Sequence, residues 1–242
     1  MARQPHLLTE PDDVHDLALV PGDPGRVDRI ADRCDDAEAV ASNREYAVVN
    51  ASVEGRPVTL CSTGIGAPSA AIAVEELLRC GVETFIRVGT CGALQSDIAI
   101  GEHIVATAAA KDEGTTKRYE GTSIPAVASH TVVDALRTAA ERGGHPFRLG
   151  SIATDDAFYA ETPDYVRRWE AANLLAVEME AAAIFTLARR NGAAAGAICT
   201  VDGNLVEGTQ KGESDRDQEL PEASDAAIDA AIDAALAAAT ML

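Results

Sequence analysis

Lysine is almost missing from this chain. Lys111, Lys117 and Lys211 are the only three among 20 basic residues, and the rest are arginine. Basic charge as a whole is scarce: 39 acidic residues leave a formal net charge of −19. That balance excludes a general nucleic-acid binder, which needs many basic contacts with phosphates. An acidic, Lys-poor surface suits a high-salt cytoplasm, where self-repulsion is screened, so a halophilic origin is expected. Long apolar runs are absent too, and none approaches the about 20 residues that cross a bilayer, so no membrane partner is expected. The N-terminus lacks the basic-then-apolar pattern of a secretory signal, which makes the cytoplasm the expected compartment. Cysteine is sparse: Cys34, Cys61, Cys80, Cys91 and Cys199 form no C-x-x-C pair and no metal-ligand spacing. They read as buried free thiols in a reducing compartment, with neither a disulfide framework nor a metal site.

What is present is enough for a core. A chain of 242 residues, 47% of them hydrophobic, is most simply one large α/β domain. Leu17–Val20 is a short apolar run stopped by Pro21-Gly22, hence a strand feeding a turn. Strands are also expected at Tyr46–Val53, Pro57–Cys61, Thr84–Val88, Ile104–Ala110, Ser151–Ala153 and Ala195–Val201. Helices are expected over Val27–Cys34, from Pro68 towards Gly81, over Val132–Arg142, over Glu178–Arg190 and over Pro221–Ala239. In the last of these Ile228, Ile232 and Leu236 recur at four-residue spacing opposite Asp225, Asp229 and Asp233. No linker or repeat divides the chain. The alternation of strands and helices predicts a central twisted mixed β-sheet with helices on both faces, and ligands beyond the carboxyl ends of its strands.

Three segments read as anion-binding turns: Pro21–Arg26, Ser62–Ser69 and Arg87–Gly92. Glycine lets main-chain N–H groups approach an anion, especially ahead of a helix. Neither Gly-rich turn is a Walker loop, and Gly64-x-Gly66-x-x-Ser69 misses the third glycine of a dinucleotide fingerprint. Arg87 lies inside the apolar run Phe85–Val88 and needs a partner there, for which a bound phosphate is a better explanation than an ion pair. Downstream, Val177-Glu178-Met179-Glu180-Ala181 sets two carboxylates either side of a Met, just ahead of an apolar helical pattern. An acidic pair that grips sugar hydroxyls beside groups that grip phosphate points to an enzyme acting on a ribosyl group with phosphate.

The pattern Ser62-x-Gly64-Ile65-Gly66-x-Pro68-Ser69-x-Ala71-Ile72-x-x-x-Glu76-Leu77 resembles the nucleoside phosphorylase family that contains uridine phosphorylases and hexameric purine nucleoside phosphorylases. The resemblance runs from His6 to about Asp202 and implies a single phosphorylase-type domain over residues 1–242. It implies phosphate attack on the anomeric carbon of a nucleoside, giving free base and pentose 1-phosphate. By that resemblance Gly22, Arg26, Arg87 and Thr90 would bind phosphate, and Arg44 would reach the phosphate of a neighbouring subunit. Cys91, Gly92, Phe158, Tyr159, Glu178, Met179 and Glu180 would hold ribose and base, with Glu180 bridging the 2′- and 3′-hydroxyls. His6 would come from the neighbour towards the 5′-hydroxyl. Arg87 and Asp202 would carry the catalysis, Asp202 as the acid that protonates the departing base. No cofactor is implied beyond inorganic phosphate as co-substrate. The partners are a small nucleoside and further copies of the chain, in a hexamer built as a trimer of dimers.

Asp202 also fits a turn cap before Gly203. Uridine phosphorylases hold uracil with a Gln and an Arg shortly after the aromatic pair, and Phe158–Tyr165 contains neither. That departure favours a purine nucleoside. Uridine phosphorolysis stays open as the alternative, as does a 5′-monophosphate substrate gripped by Lys117, Arg118 and Tyr119. A nucleosidase, with water replacing phosphate, fits Arg26 and Arg87 less well, and a non-catalytic binder leaves Glu180 and Asp202 unexplained.

Overall fold

The computed structural model describes residues 3–209 and 222–242. Ten strands and seven α-helices alternate through them: β1 Leu17–Leu19, α1 Pro24–Ala31, β2 Asp36–Asn43, β3 Tyr46–Val53, β4 Arg56–Cys61 and α2 Ala67–Cys80. Then come β5 Thr84–Ala93, β6 His103–Lys111, α3 Thr116–Tyr119, β7 Ala126–Val127, α4 His130–Gly143 and β8 Phe147–Thr154. The described chain ends with α5 Pro163–Ala171, β9 Ala176–Glu178, α6 Ala181–Arg190, β10 Ala194–Asn204 and α7 Glu222–Ala239. Short 3₁₀ turns lie at Pro11–Asp13 and Phe158–Ala160.

All ten strands join one mixed sheet, as the sequence suggested. Half of it is open, running β5-β1-β4-β3-β2. The other half closes on itself, because β5 pairs both β9 and β10 and the path β5-β10-β6-β8-β9 returns to β5. Helices cover both faces. Ala70, Val74 and Leu77 of α2 pack with Ile184 and Phe185 of α6 on one side. Val27 and Ile30 of α1, Val132 and Leu136 of α4 and Ile228 and Ile232 of α7 build the core on the other. The acidic face of α7 is not merely solvated: Asp225 and Asp229 pair with Arg29, and Asp229 and Asp233 with Arg33. Pro221, the expected start of that helix, lies outside the described residues.

Several boundaries move, each for a visible reason. The Arg87–Gly92 segment is not a turn, because β10 pairs with β5 in parallel register from Thr84 as far as Ala93. Glu178 is not helical: it ends β9, and the helix begins at Ala181. The strand β2 went unpredicted because its sequence, Asp-Ala-Glu-Ala-Val-Ala-Ser-Asn, is mostly exposed and carries little apolar alternation. α2 follows the sequence closely. Gly66 at φ 91° and Pro68 in the first turn open it, and Gly81 at φ 102° closes it.

Candidate active site

β5 is the spine of the site. Its first residues pair with β1 at Thr84–Ile86 and its last with β9 at Gly92–Ala93. Because β10 occupies the opposite edge of both stretches, β1 and β9 lie on the same edge. They diverge, and on that edge no described strand pairs with Arg87–Cys91. Alternation turns the Ile86 carbonyl to the Val20 N–H (2.8 Å) and the Val88 carbonyl to Arg26 (3.2 Å), so the Thr90 peptide faces the same gap. This is the crevice expected where strand connections part in an open α/β sheet. A cavity of about 1260 Å³ opens there.

Two arginines line the cavity. Gly22 and Arg26 line it from the start of α1, and Arg87 and Thr90 from β5. Gly89 leaves room for the Arg87 guanidinium, which a Cβ at that position would meet at 2.9 Å. Arg87 is 3% exposed and bridges Glu178 (2.9 Å) and Glu180, while its Nη1 has no hydrogen-bond partner among the described residues. Burial opposes the charge on Arg87, but Glu180 and then Glu178 outweigh it and hold the pKa above the ordinary arginine value. Arg26 is shifted the other way, by burial and by the like charge of Arg87. The two guanidiniums thus lie close enough to feel one another, Arg87 against its two carboxylates and Arg26 against the Val88 carbonyl.

The two carboxylates of the Glu-Met-Glu run do different work. Glu178 accepts from Thr154 Oγ1 (2.6 Å), from the Glu180 N–H (2.8 Å) and from the Ala181 N–H (2.9 Å). It caps α6 and neutralises the helix N-terminus, a structural task absent from the sequence reading. Glu180 takes the Gly66 N–H at 2.5 Å on one oxygen and Arg87 on the other. The Gly64–Gly66 turn therefore does bind an anion, but that anion is the protein's own carboxylate. Burial raises the pKa of Glu180 above the usual carboxylate range, with Glu178 adding to it and Arg87 opposing.

Phe158, Tyr159 and Glu161 line the same cavity, as do Met179, Cys91 and Gly92. Phe158 and Tyr159 meet edge to face at 5.1 Å, and Tyr159 is 99% exposed. Asp202 also lines the cavity. It occupies a β-bulge: Val201 is opposite Cys91 and Gly203 opposite Gly92, leaving Asp202 as the extra residue. A bulge re-aims a side chain at the end of a strand, and here the re-aimed residue is one that lines the cavity.

A profile described as "Phosphorylase superfamily" matches residues 16–239. The chain belongs to the phosphorylase superfamily. It is 64% identical over 222 residues to a guanosine phosphorylase of Halorubrum lacusprofundi, covering 92% of each chain. A uridine phosphorylase of Thermococcus kodakarensis is 42% identical over 216 residues, 84% of this chain and 78% of that one. The crystal structure of uridine phosphorylase from Vibrio fischeri superposes with a TM-score of 0.89 at 34% identity, covering all of this chain and 99% of that one.

Within this phosphorylase-superfamily chain most expected site residues come together, but two do not line the cavity. His6 is turned onto the buried Glu76, which accepts from its Nδ1 (2.6 Å) and its backbone N–H (3.1 Å), while Asn43 holds its carbonyl (2.8 Å). Arg44 is exposed at the β2–β3 turn, at φ 56°. Lys117 and Arg118 of α3 are absent from the lining as well. Glu45 and Glu161 are lining residues that the sequence reading passed over. Glu161 was in view only as part of a segment lacking Gln and Arg. Among the described residues no cluster of His, Cys, Asp and Glu is placed to hold a metal ion, and no helix is long and apolar enough to cross a membrane.

Proposed function

We propose that this nucleoside phosphorylase acts on purine nucleosides, guanosine first among them, releasing the base and forming pentose 1-phosphate. The observation that carries the reading is the Arg26–Arg87 pair at the split of the sheet, facing Met179 and Glu180 in one cavity with Asp202. Phosphate held by Arg26, Arg87 and the Thr90 peptide sits below the sugar. As the glycosidic bond stretches, positive charge grows on the sugar and the phosphate dianion stabilises it. Glu180, itself fixed by Gly66 and Arg87, holds the ribose hydroxyls and removes orientational freedom before attack. A phosphate oxygen bonds to the anomeric carbon, the bonding pair leaves with the base, and Asp202 delivers a proton to it.

The base is the finer question. The guanosine phosphorylase relative favours a purine, and so does the absence of Gln and Arg from Phe158–Tyr165. The uridine phosphorylases at 42% identity and below keep uridine as the second reading. The absence of Lys117 and Arg118 from the cavity lining supports the free nucleoside over the 5′-monophosphate as substrate. His6 and Arg44 serve a neighbouring subunit's cavity in a homo-oligomer. Base release from guanosine, guanosine 5′-monophosphate, inosine, adenosine and uridine, each with and without phosphate, tests the reaction and its substrate. Phosphate-dependent release, fastest from guanosine, is expected. Equal rates without phosphate would overturn phosphorolysis, and a preference for uridine would overturn the purine reading alone.

A further inference from the structure

We propose that Glu161 selects the base, its carboxylate accepting the adjacent N1–H and 2-amino donors of a guanine held against Phe158. The inference rests on the purine reading above and adds the residue that enforces it. Glu161 follows the 3₁₀ turn Phe158–Ala160 and lines the same cavity as the aromatic pair. The segment leaves the end of β8 beside the sugar-binding run, where the Asp155 N–H bonds the Glu178 carbonyl at 2.9 Å.

The other carboxylates of the lining have tasks. Asp23 takes the Gly25 N–H at 2.9 Å, Glu45 the Ser69 hydroxyl at 2.9 Å and Asp156 the Gly114 N–H at 2.8 Å. Glu178 and Glu180 are engaged with the α6 N-terminus, Gly66 and Arg87, and Asp202 is assigned to the proton. Glu161 is half-buried with no hydrogen bond or ion pair among the described residues. Burial, and then the negative charge of Asp155, push its carboxyl up to about 7. A half-buried carboxylate without donors is unfavourable, so donors on a ligand stabilise it.

The bases differ sharply in what they offer such a group. Guanine presents two donors side by side, N1–H and the 2-amino group, at the spacing of two carboxylate oxygens. Hypoxanthine presents N1–H alone. Adenine turns a lone pair at N1 towards the carboxylate, and uracil flanks its single N–H with two carbonyl oxygens. A site built to take two hydrogen bonds rejects ligands that leave it unpaired or repelled. The expected order is guanosine, then inosine, then adenosine.

Rates with these three nucleosides at saturating phosphate, for wild type, Glu161→Ala and Glu161→Gln, test the assignment. Glu161→Ala should lower kcat/KM for guanosine ~10–100-fold, the loss of charge-assisted hydrogen bonds. Adenosine should be unchanged or improved, which also shows that the variant folds, and the KM for phosphate should not move. Glu161→Gln keeps one acceptor but sets its own amide against the 2-amino group, so guanosine should lose its advantage over inosine. In wild type the guanosine KM should rise as pH falls through about 7 and the carboxylate protonates, and in Glu161→Gln that rise should vanish. A wild type that prefers guanosine, with the guanosine-to-adenosine ratio intact in Glu161→Ala, would overturn the role of Glu161 and leave the purine reading standing. A wild type that prefers uridine or adenosine would sink both.

Discussion

Arg26 and Arg87 line the same cavity, yet their removal should affect stability differently. Arg87 is the buried counter-charge of Glu178 and Glu180. Arg87→Ala strands those carboxylates and should destabilise the protein by about 3–5 kcal/mol besides abolishing saturation by phosphate. Arg26 instead is held below the ordinary arginine pKa, by burial first and then by the like charge of Arg87. Arg26→Ala should raise the KM for phosphate while leaving the urea midpoint unchanged or slightly higher. A midpoint that drops as far as that of Arg87→Ala would mean Arg26 is structural. If Asp202 protonates the departing base, Asp202→Asn should slow guanosine cleavage about 10²–10⁴-fold. A 7-methylated guanosine, whose base leaves as a neutral group, should be far less affected, and equal losses would take Asp202 out of the acid role. At this scale the sequence was informative where physics left few options. A guanidinium inside Phe-Ile-Arg-Val must find anions, although those it finds here are Glu178 and Glu180, the ion pair that the sequence ranked below a bound phosphate. The capping duty of Glu178 depends on Thr154, 24 positions away, and no local pattern announces it.

Elements were legible in proportion to their burial pattern. The strands β3, β4 and β6 and the helices α2 and α4 emerge from apolar runs with glycine and proline at their ends. The Gly-Thr-Cys-Gly stretch was misread because glycine punctuates turns in sequence, while here it clears space for Arg87 and for Leu205, into which a Cβ on Gly92 would run. The closure of β5-β10-β6-β8-β9 rests on pairings between distant strands and was invisible in advance. One inter-element contact has a pH signature. His103 of β6 is fully buried, stacked on His145 at 4.2 Å, with its Nε2 donating to the Ala227 carbonyl of α7 at 2.8 Å. Burial lowers its pKa to about 4, the α7 carbonyl opposes that shift, and His145 adds to it. The folded value lies below the ordinary 6.5, so the unfolded chain binds more protons between them. Stability from this group is complete above about 6.5 and is lost as pH falls towards about 4, by roughly 3 kcal/mol. Urea midpoints at successive pH values should show that decline in wild type and a shallower one in His103→Gln. Identical slopes would show that His103 titrates normally.

The whole molecule poses two further tests. A net charge of −19 repels itself, and only screening relieves it. The local pairs between α1 and α7 work in the opposite direction, since salt weakens them, but exposed pairs contribute only about 0–1 kcal/mol each. Repulsion should win, and stability should rise from 0.1 M salt, where the Debye length is about 10 Å, to 1 M, where it is about 3 Å. Unchanged stability near zero salt would end the halophilic expectation. Assembly is the second test. His6 is clamped to Glu76 and Arg44 points outward, so neither completes the cavity of its own chain. If Arg44 acts across a subunit boundary, Arg44→Ala and Asp202→Asn disable different halves of each shared site. Subunits of the two variants, unfolded together and refolded as mixed oligomers, should then recover activity that neither variant has alone. In a symmetric pair one site inherits both defects and the other inherits none. Mixed oligomers no more active than their parents would place Arg44 outside catalysis.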